Sequence, residues 1–303
     1  MTALAAQRAR LPDGRWHFQH GPIDIIVGAT GDGAALEAAH ELAWQRFQLI
    51  LSELVAELPA LRCRVRGPCP VAGVTARRMW SACYPYQSSF ITPMAAVAGA
   101  VAQELLPAYQ GAGIQRAWVN NGGDIALHLA PGHSLRVGLY ANLERFDVEQ
   151  LKNGLSLDGQ IDIHSTSPVR GVATSGWRGR SFSLGIADSV TVLARTAAQA
   201  DAAATVIANA VNINDACIIR RPANDMKDNS DLGDLLVTVD VPLLRVEQAD
   251  AALAAGLARA LELRSRGLIS SAFLVCQNRV MTTERLTPHL ANDHSDQTAA
   301  EAA

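Results

Sequence analysis

Three short segments combine oxygen-bearing side chains with glycine or alanine, and each could hold a ligand or a cation. The first is Asn120-Asn121-Gly122-Gly123-Asp124. Paired glycines accept positive φ and leave backbone N–H groups uncovered, which makes a nest for a phosphate or the edge of a planar ring. Asp124 adds a carboxylate for a ribose hydroxyl, a ring N–H or a metal. The same letters also spell a tight Asn-Gly turn between hairpin strands. The second segment is Thr174-Ser175-Gly176, after Val172-Ala173. It offers two hydroxyls and exposed N–H groups at a strand end, or else a Ser/Gly turn. No Gly-x-Ser-x-Gly elbow surrounds Ser175 and no histidine is adjacent, so a nucleophile is not indicated.

The third segment holds Asp201 and Thr205, four residues apart and therefore on one helix face, with Asn209 continuing the stripe. Carboxylate plus hydroxyl oxygen suits Mg²⁺, a hard ion that keeps some of its waters. The competing reading is an Asp near a helix start, favoured by the dipole. A fourth stretch, Asn229-Ser230-Asp231-Leu232-Gly233-Asp234, reads as a solvated turn or as a lid or metal-contact loop. His164 and Arg170 read as surface residues flanking a polar loop, and His128 and His133 as hairpin positions.

Other signatures are missing. There is no HExxH, no P-loop and no GxGxxG; the turn Gly28-Ala29-Thr30-Gly31-Asp32-Gly33 has the wrong spacing for the last. Cys63, Cys69, Cys83, Cys217 and Cys276 are odd in number and scattered, without a CxxC pair. Free, mostly buried thiols are expected rather than a zinc site.

The elements that must position these segments follow from periodicity. A short strand is expected at 23–27 and a long helix at 34–58, where Leu36, Ala39, Ala43, Phe47, Ile50 and Leu54 recur at helical spacing. Residues 1–20 read as irregular, and 59–90, with four prolines, mainly as loops. A tightly packed Ala/Gly-rich helix is expected at 93–109, with Thr92 as N-cap and Pro93 at N1. Strands are expected at 116–119, 125–129 and 135–140, with 141–170 irregular. Then come a strand pair at 171–174 and 181–185, a strand at 188–193, and a helix at 196–209 capped by Thr196. Strands at 216–219 and 235–241, a helix at 248–266 and a strand at 270–275 complete the chain.

Hairpin-like groups of strands mixed with helices favour a single-domain α+β sandwich over a doubly wound parallel sheet. That domain is expected over 1–281, with 282–303 a polar, disordered tail. Hydrophobic residues make up 49% and charged residues 18% of 303, an ordinary globular composition. The net charge of −3 lacks the footprint of a nucleic-acid binder, although Arg62, Arg64 and Arg66, with Arg77 and Arg78, form small basic runs that suit a solvated face or a phosphate contact. No apolar stretch reaches the ~18 residues of a membrane span, and residues 1–11 lack a signal-type core, which leads to a cytoplasmic expectation.

The order of these motifs resembles the ApbE flavin transferases. The helix leading through a strand to Val119-Asn120-Asn121-Gly122-Gly123-Asp124-Ile125 matches, as do Ala173-Thr174-Ser175-Gly176 and Ala200-Asp201-Ala202 with Thr205. The likeness covers roughly residues 90–215. It is closest to a branch of ApbE-like proteins often labelled thiamine-biosynthesis ApbE-like. That branch shares Thr92-Pro93-Met94 with Ala96 to Ala100, and also Ser230-Asp231-Leu232-Gly233.

The resemblance implies an α+β, ApbE-like (T-fold-related) fold of mixed sheets packed with helices. It implies FAD or another flavin- or pterin-like nucleotide as ligand, Mg²⁺ as metal, and transfer of FMN to a protein Thr. Asn120, Asn121, Gly122, Gly123, Asp124, Thr174, Ser175 and Gly176 would face the cofactor, and Asp201 and Thr205 would be metal ligands. Two family features are absent. Ala96-Val97-Ala98-Gly99 stands where the family has a Gly-x-Ala-Lys-Gly lysine, and no His-x-x-Asp-Pro-x-Thr-Gly precedes the strand at 189. A binding or assembly protein without FMN transfer is therefore an alternative, and an enzyme of a one-carbon cofactor pathway another. The expected partner is a small-molecule or nucleotide ligand, with no nucleic acid and no membrane; a homodimer is left open.

Overall fold

The structure, a computed structural model, describes residues 5–139, 159–179 and 181–284. In chain order the main elements are β1 (Gln7–Arg10), β2 (Trp16–His20), β3 (Ile23–Gly31), α1 (Gly33–Ala56), α2 (Val74–Cys83) and α3 (Val97–Leu105). Next are β4 (Ile114–Asn121), β5 (Asp124–Leu129), β6 (Ser134–Leu139), β7 (Gly159–His164), β8 (Gly171–Ser175) and β9 (Ser189–Ala194). Then follow α4 (Ala197–Ala210), β10 (Ile219–Pro222), β11 (Leu236–Asp240), α5 (Val246–Ser265), β12 (Ser271–Cys276) and β13 (Arg279–Thr282).

Nine strands form one antiparallel sheet in the order β1-β2-β3-β4-β5-β8-β9-β12-β13. The central strands are apolar on both faces, and their period of two sorts the side chains. Ala117, Val119, Ala126, Val190 and Val192 face the helices. Trp118, Ile125, Leu127 and Leu193 face the other way, under a cover from the β6–β7 pair that supplies Leu135, Val137 and Ile163.

On the helical side the packing is close because the facing residues are small. Gly99 of α3 shows how close: a Cβ there would sit 2.3 Å from the carbonyl oxygen of Ala197 and 2.9 Å from Asp201 Cβ. Ala200, Ala202, Ala203 and Ala204 of α4 are fully buried.

Several expectations need correcting. Residues 1–20 contain β1 and β2 rather than irregular chain; β1 is exposed along its length and so carries no apolar alternation. Within 59–90 lies α2, whose buried Thr75, Ala76, Met79, Trp80 and Cys83 keep helical spacing between flanking prolines. Residues 181–185 form no strand, since β8 pairs directly with β9. The Leu184 N–H and the Ser183 hydroxyl are taken by Asn209 Oδ1 instead.

The expected helix at 93–109 is a 3₁₀ turn, α3 and a second 3₁₀ turn; Thr92 makes no cap and donates its hydroxyl to Asp231. Strand β7 falls inside the supposedly irregular 141–170, of which 141–158 lies outside the described residues, as does 285–303 of the expected tail. The GATGDG stretch continues β3 to Gly31, and Asp32 caps α1 by accepting from the Ala34 and Ala35 N–H groups. The thiols are free, but Cys63, Cys69 and Cys217 are exposed, and Cys83 and Cys276 alone are buried.

Candidate functional site

The β4–β5 hairpin turn carries the first segment. Gly122 and Gly123 adopt φ of +65° and +106°, which other residues rarely reach. Asn120 Oδ1 accepts from the Gly123 N–H at 2.8 Å, and Asn121 Nδ2 donates to the Ala98 carbonyl at 3.1 Å. The turn reading holds: a hairpin turn, fastened to the start of α3, brings Asp124 into the lining of a cleft.

Asp124 is buried, and its Oδ1 accepts from the Thr174 N–H at 3.1 Å across the β5–β8 ladder. The Thr174 hydroxyl lies 2.9 Å from that of Thr191 on β9. Gly176 continues the chain where any Cβ would meet the Asp188 carbonyl at 2.2 Å. Asp201 sits beyond the first turn of α4, whose N-cap is Thr196, accepting from the Gln199 N–H. The dipole it meets belongs to another helix. The Gly99 N–H at the start of α3 donates to Asp201 Oδ2 at 2.9 Å, and the Ala98 N–H also donates to this carboxylate. These amides are orphans of a helix start, and an acid supplied from outside satisfies them.

Asp124 and Asp201 hydrogen-bond to each other. Burial and then the charge of Asp201 push Asp124 well above the usual carboxylate range. Burial also pushes Asp201 up, to about 7, against the pull of the α3 amides. Burial thus raises both carboxyls, and the two titrate as one coupled pair rather than as separate acids.

All ten residues singled out from the sequence line one cleft of about 1330 Å³: Asn120 to Asp124, Thr174 to Gly176, Asp201 and Thr205. Sequence reasoning missed Thr92, Thr191 and Ser189, which also line it. The signal for Thr191 was its cross-strand place opposite Thr174. Asp231 lines the cleft as well, in a turn where Asn229 and Gly233 have φ of +56° and +58°.

Of the other candidates, Arg62 also lines the cleft, whereas Arg64, Arg78 and Arg170 do not. Arg170 donates to the carbonyls of Ser165, Ser167 and Val169 and so holds its own loop. Arg64 binds the carbonyls of Gln87, Ser88 and Ser89, and Arg78 pairs with Glu104. No helix of the described residues is long and apolar enough to cross a membrane.

The donor set fits a hard divalent ion. Among the described residues no group of three or more His, Cys, Asp or Glu could hold a metal. Two carboxyls forced together in a buried setting are nevertheless poorly satisfied by one proton, and their oxygens, with the Thr205 hydroxyl nearby on α4, are the ligands Mg²⁺ prefers.

Comparison with known proteins agrees with this architecture. A UPF0280 protein of Methanothrix thermoacetophila is 42% identical over 130 residues, 43% of this chain and 50% of that protein. The match thus spans about half of that relative's length. A UPF0280 protein of Methanosarcina acetivorans is 35% identical over 201 residues, 65% of this chain and 72% of the other. The apo flavinyl transferase ApbE of Pseudomonas stutzeri superposes with a TM-score of 0.50 over 93% of this chain and 96% of that one, at 13% identity, a likeness that shows the fold alone. The family model described as AbpE bacteria matches residues 8–283, so the chain belongs to that ApbE-like family.

Proposed function

We propose that the cleft binds a phosphorylated flavin- or pterin-like nucleotide with Mg²⁺, and that the protein performs transferase chemistry on it. The observation that carries this reading is the meeting of Asp124 and Asp201. They come from a hairpin turn and from a helix distant in sequence, and they meet at the start of a third element inside a large cleft. An acid pair so placed costs stability unless a cation or a proton neutralises it, and such sites serve function more often than packing.

Asp124, Asp201 and Thr205 would hold the ion. Held there, it would supply Lewis-acid polarisation of a phosphoryl oxygen. The chain's own residues orient the site. Asn121 and Asn120 fix the turn, Thr174 fixes Asp124, and the α3 amides fix Asp201. The Thr174 and Thr191 hydroxyls add donors for a ligand's oxygen atoms.

A second reading, a binding protein without turnover, draws on Ala96-Val97-Ala98-Gly99 at the start of α3, where the family resemblance puts a lysine. Calorimetric titration with FAD, FMN and a pterin panel, with and without Mg²⁺, tests the first claim. Mg²⁺-dependent binding of at least one, lost in Asp201→Asn, is expected; no binding of any under either condition would refute it. Turnover by the bound complex then separates enzyme from binding protein.

A further inference from the structure

The cleft extends well past the acid pair. Its lining runs from Thr191 on β9 and Thr174 on β8, through the β4–β5 turn, to Ile23 and Ile26 on β3. Four inter-strand steps separate β9 from β3 in the sheet, which amounts to roughly 19 Å. The two ends differ in chemistry. The β8–β9 end presents carboxyls and hydroxyls.

The other end is walled mainly by Ile26, Leu51, Val55, Leu58, Met79 and Phe90, with Arg62 as a cation in the same lining. Leu51 packs beside Gly21 at the β2–β3 turn, which ties the wall of α1 to the start of β3. The carboxylate at that end, Asp24, is already engaged by His17 Nε2 at 2.8 Å. Val55 is 56% exposed although its neighbours in the cleft are apolar.

These facts restrict the ligand. The volume of about 1330 Å³ is more than a small head group fills. A second nucleoside in the α1 arm would give up its hydrogen bonds to water against aliphatic walls. A hydrocarbon placed there gains by burial.

We infer that the ligand is an amphiphile: a phosphate-bearing head at the Asp124–Asp201 end, and a hydrocarbon arm lying between the C-terminal half of α1 and the start of β3. The inference rests on the metal-site reading for the head alone. The α1 arm is a separate apolar subsite, and it narrows the ligand class to a phosphate ester with an apolar extension in place of a dinucleotide.

The test is a calorimetric series with ethyl, octyl and dodecyl phosphate, below their micelle concentrations and with Mg²⁺. Affinity should rise with chain length, at up to about fourfold per methylene until the arm is filled. Val55→Asp should remove the gain from chain length and spare ethyl phosphate. Val55→Trp, which narrows the arm without adding charge, should weaken dodecyl phosphate in the same way. Leu42→Asp, at an exposed position of α1 outside the cleft, should change nothing.

Equal affinity for the three phosphates would overturn the inference, as would equal losses in Val55→Asp and Leu42→Asp. The two readings fail separately. Chain-length dependence that ignores both Mg²⁺ and Asp201→Asn removes the metal site and upholds the apolar arm. Mg²⁺-dependent binding that ignores chain length does the reverse.

Discussion

Asp124 and Asp201 divide their support unequally. Asp124 receives the Thr174 amide, whereas Asp201 receives two amides from the start of α3. An asparagine at 124 would keep the bond from Thr174 through its carbonyl oxygen and offer an N–H to Asp201. Asp124→Asn should therefore keep metal-free stability within about 1 kcal/mol of the parent. It should also abolish any rise in melting temperature caused by Mg²⁺. A large loss of stability without metal would show that the acid is structural.

His40 gives an independent pH signature. It is buried with Nδ1 2.9 Å from the Tyr109 hydroxyl, and burial lowers its pKa below the ordinary 6.5. The unfolded chain then takes up a proton near pH 6.5 that the folded chain refuses. Stability from this group is complete above that pH and is lost as pH falls toward the folded value, at up to about 1.4 kcal/mol per pH unit. Melting curves between pH 7 and 5 should be shallower for His40→Gln than for the parent.

At the scale of elements, the α3–α4 contact sets the site. Gly99→Ala puts a methyl against the Ala197 carbonyl and Asp201 Cβ, so the helices must part or tilt. A cost of about 2–3 kcal/mol in chemical denaturation is expected, together with weaker Mg²⁺ binding because Asp201 loses its amide partners.

This contact was only half legible in the sequence. The Ala/Gly run of α3 and the Ala-rich α4 announced close packing, and the Asp201–Thr205 spacing announced a shared face. Nothing local says that Asp201 faces the start of α3, because that depends on a right-sized gap made by Gly99. The hairpin β4–β5 was readable from Asn-Gly-Gly between alternating strands. Strand β1 was not, since its exposed Gln7–Arg10 borrows its conformation from β2. Helix α2 was hidden by the prolines around it, although its buried positions keep a helical period.

At the scale of the molecule, one antiparallel sheet brings three distant segments to one cleft. The segments that line the cleft were readable as a set in family order. Its geometry was not, because strand order places β5 beside β8 and so joins Asp124 to Thr174. The contact between Thr92 and Asp231 stayed out of reach for the same reason: it crosses from the start of the 3₁₀ turn before α3 to the turn between β10 and β11.

The central claim is that Asp124 and Asp201 together hold a divalent cation. Anomalous diffraction from crystals soaked with Mn²⁺, a spectroscopic substitute for Mg²⁺, addresses it directly. A single strong peak between the two carboxyls, absent in Asp201→Asn crystals, is the predicted result. A peak confined to other acids, or none at concentrations that saturate an ordinary Mg²⁺ site, would contradict it.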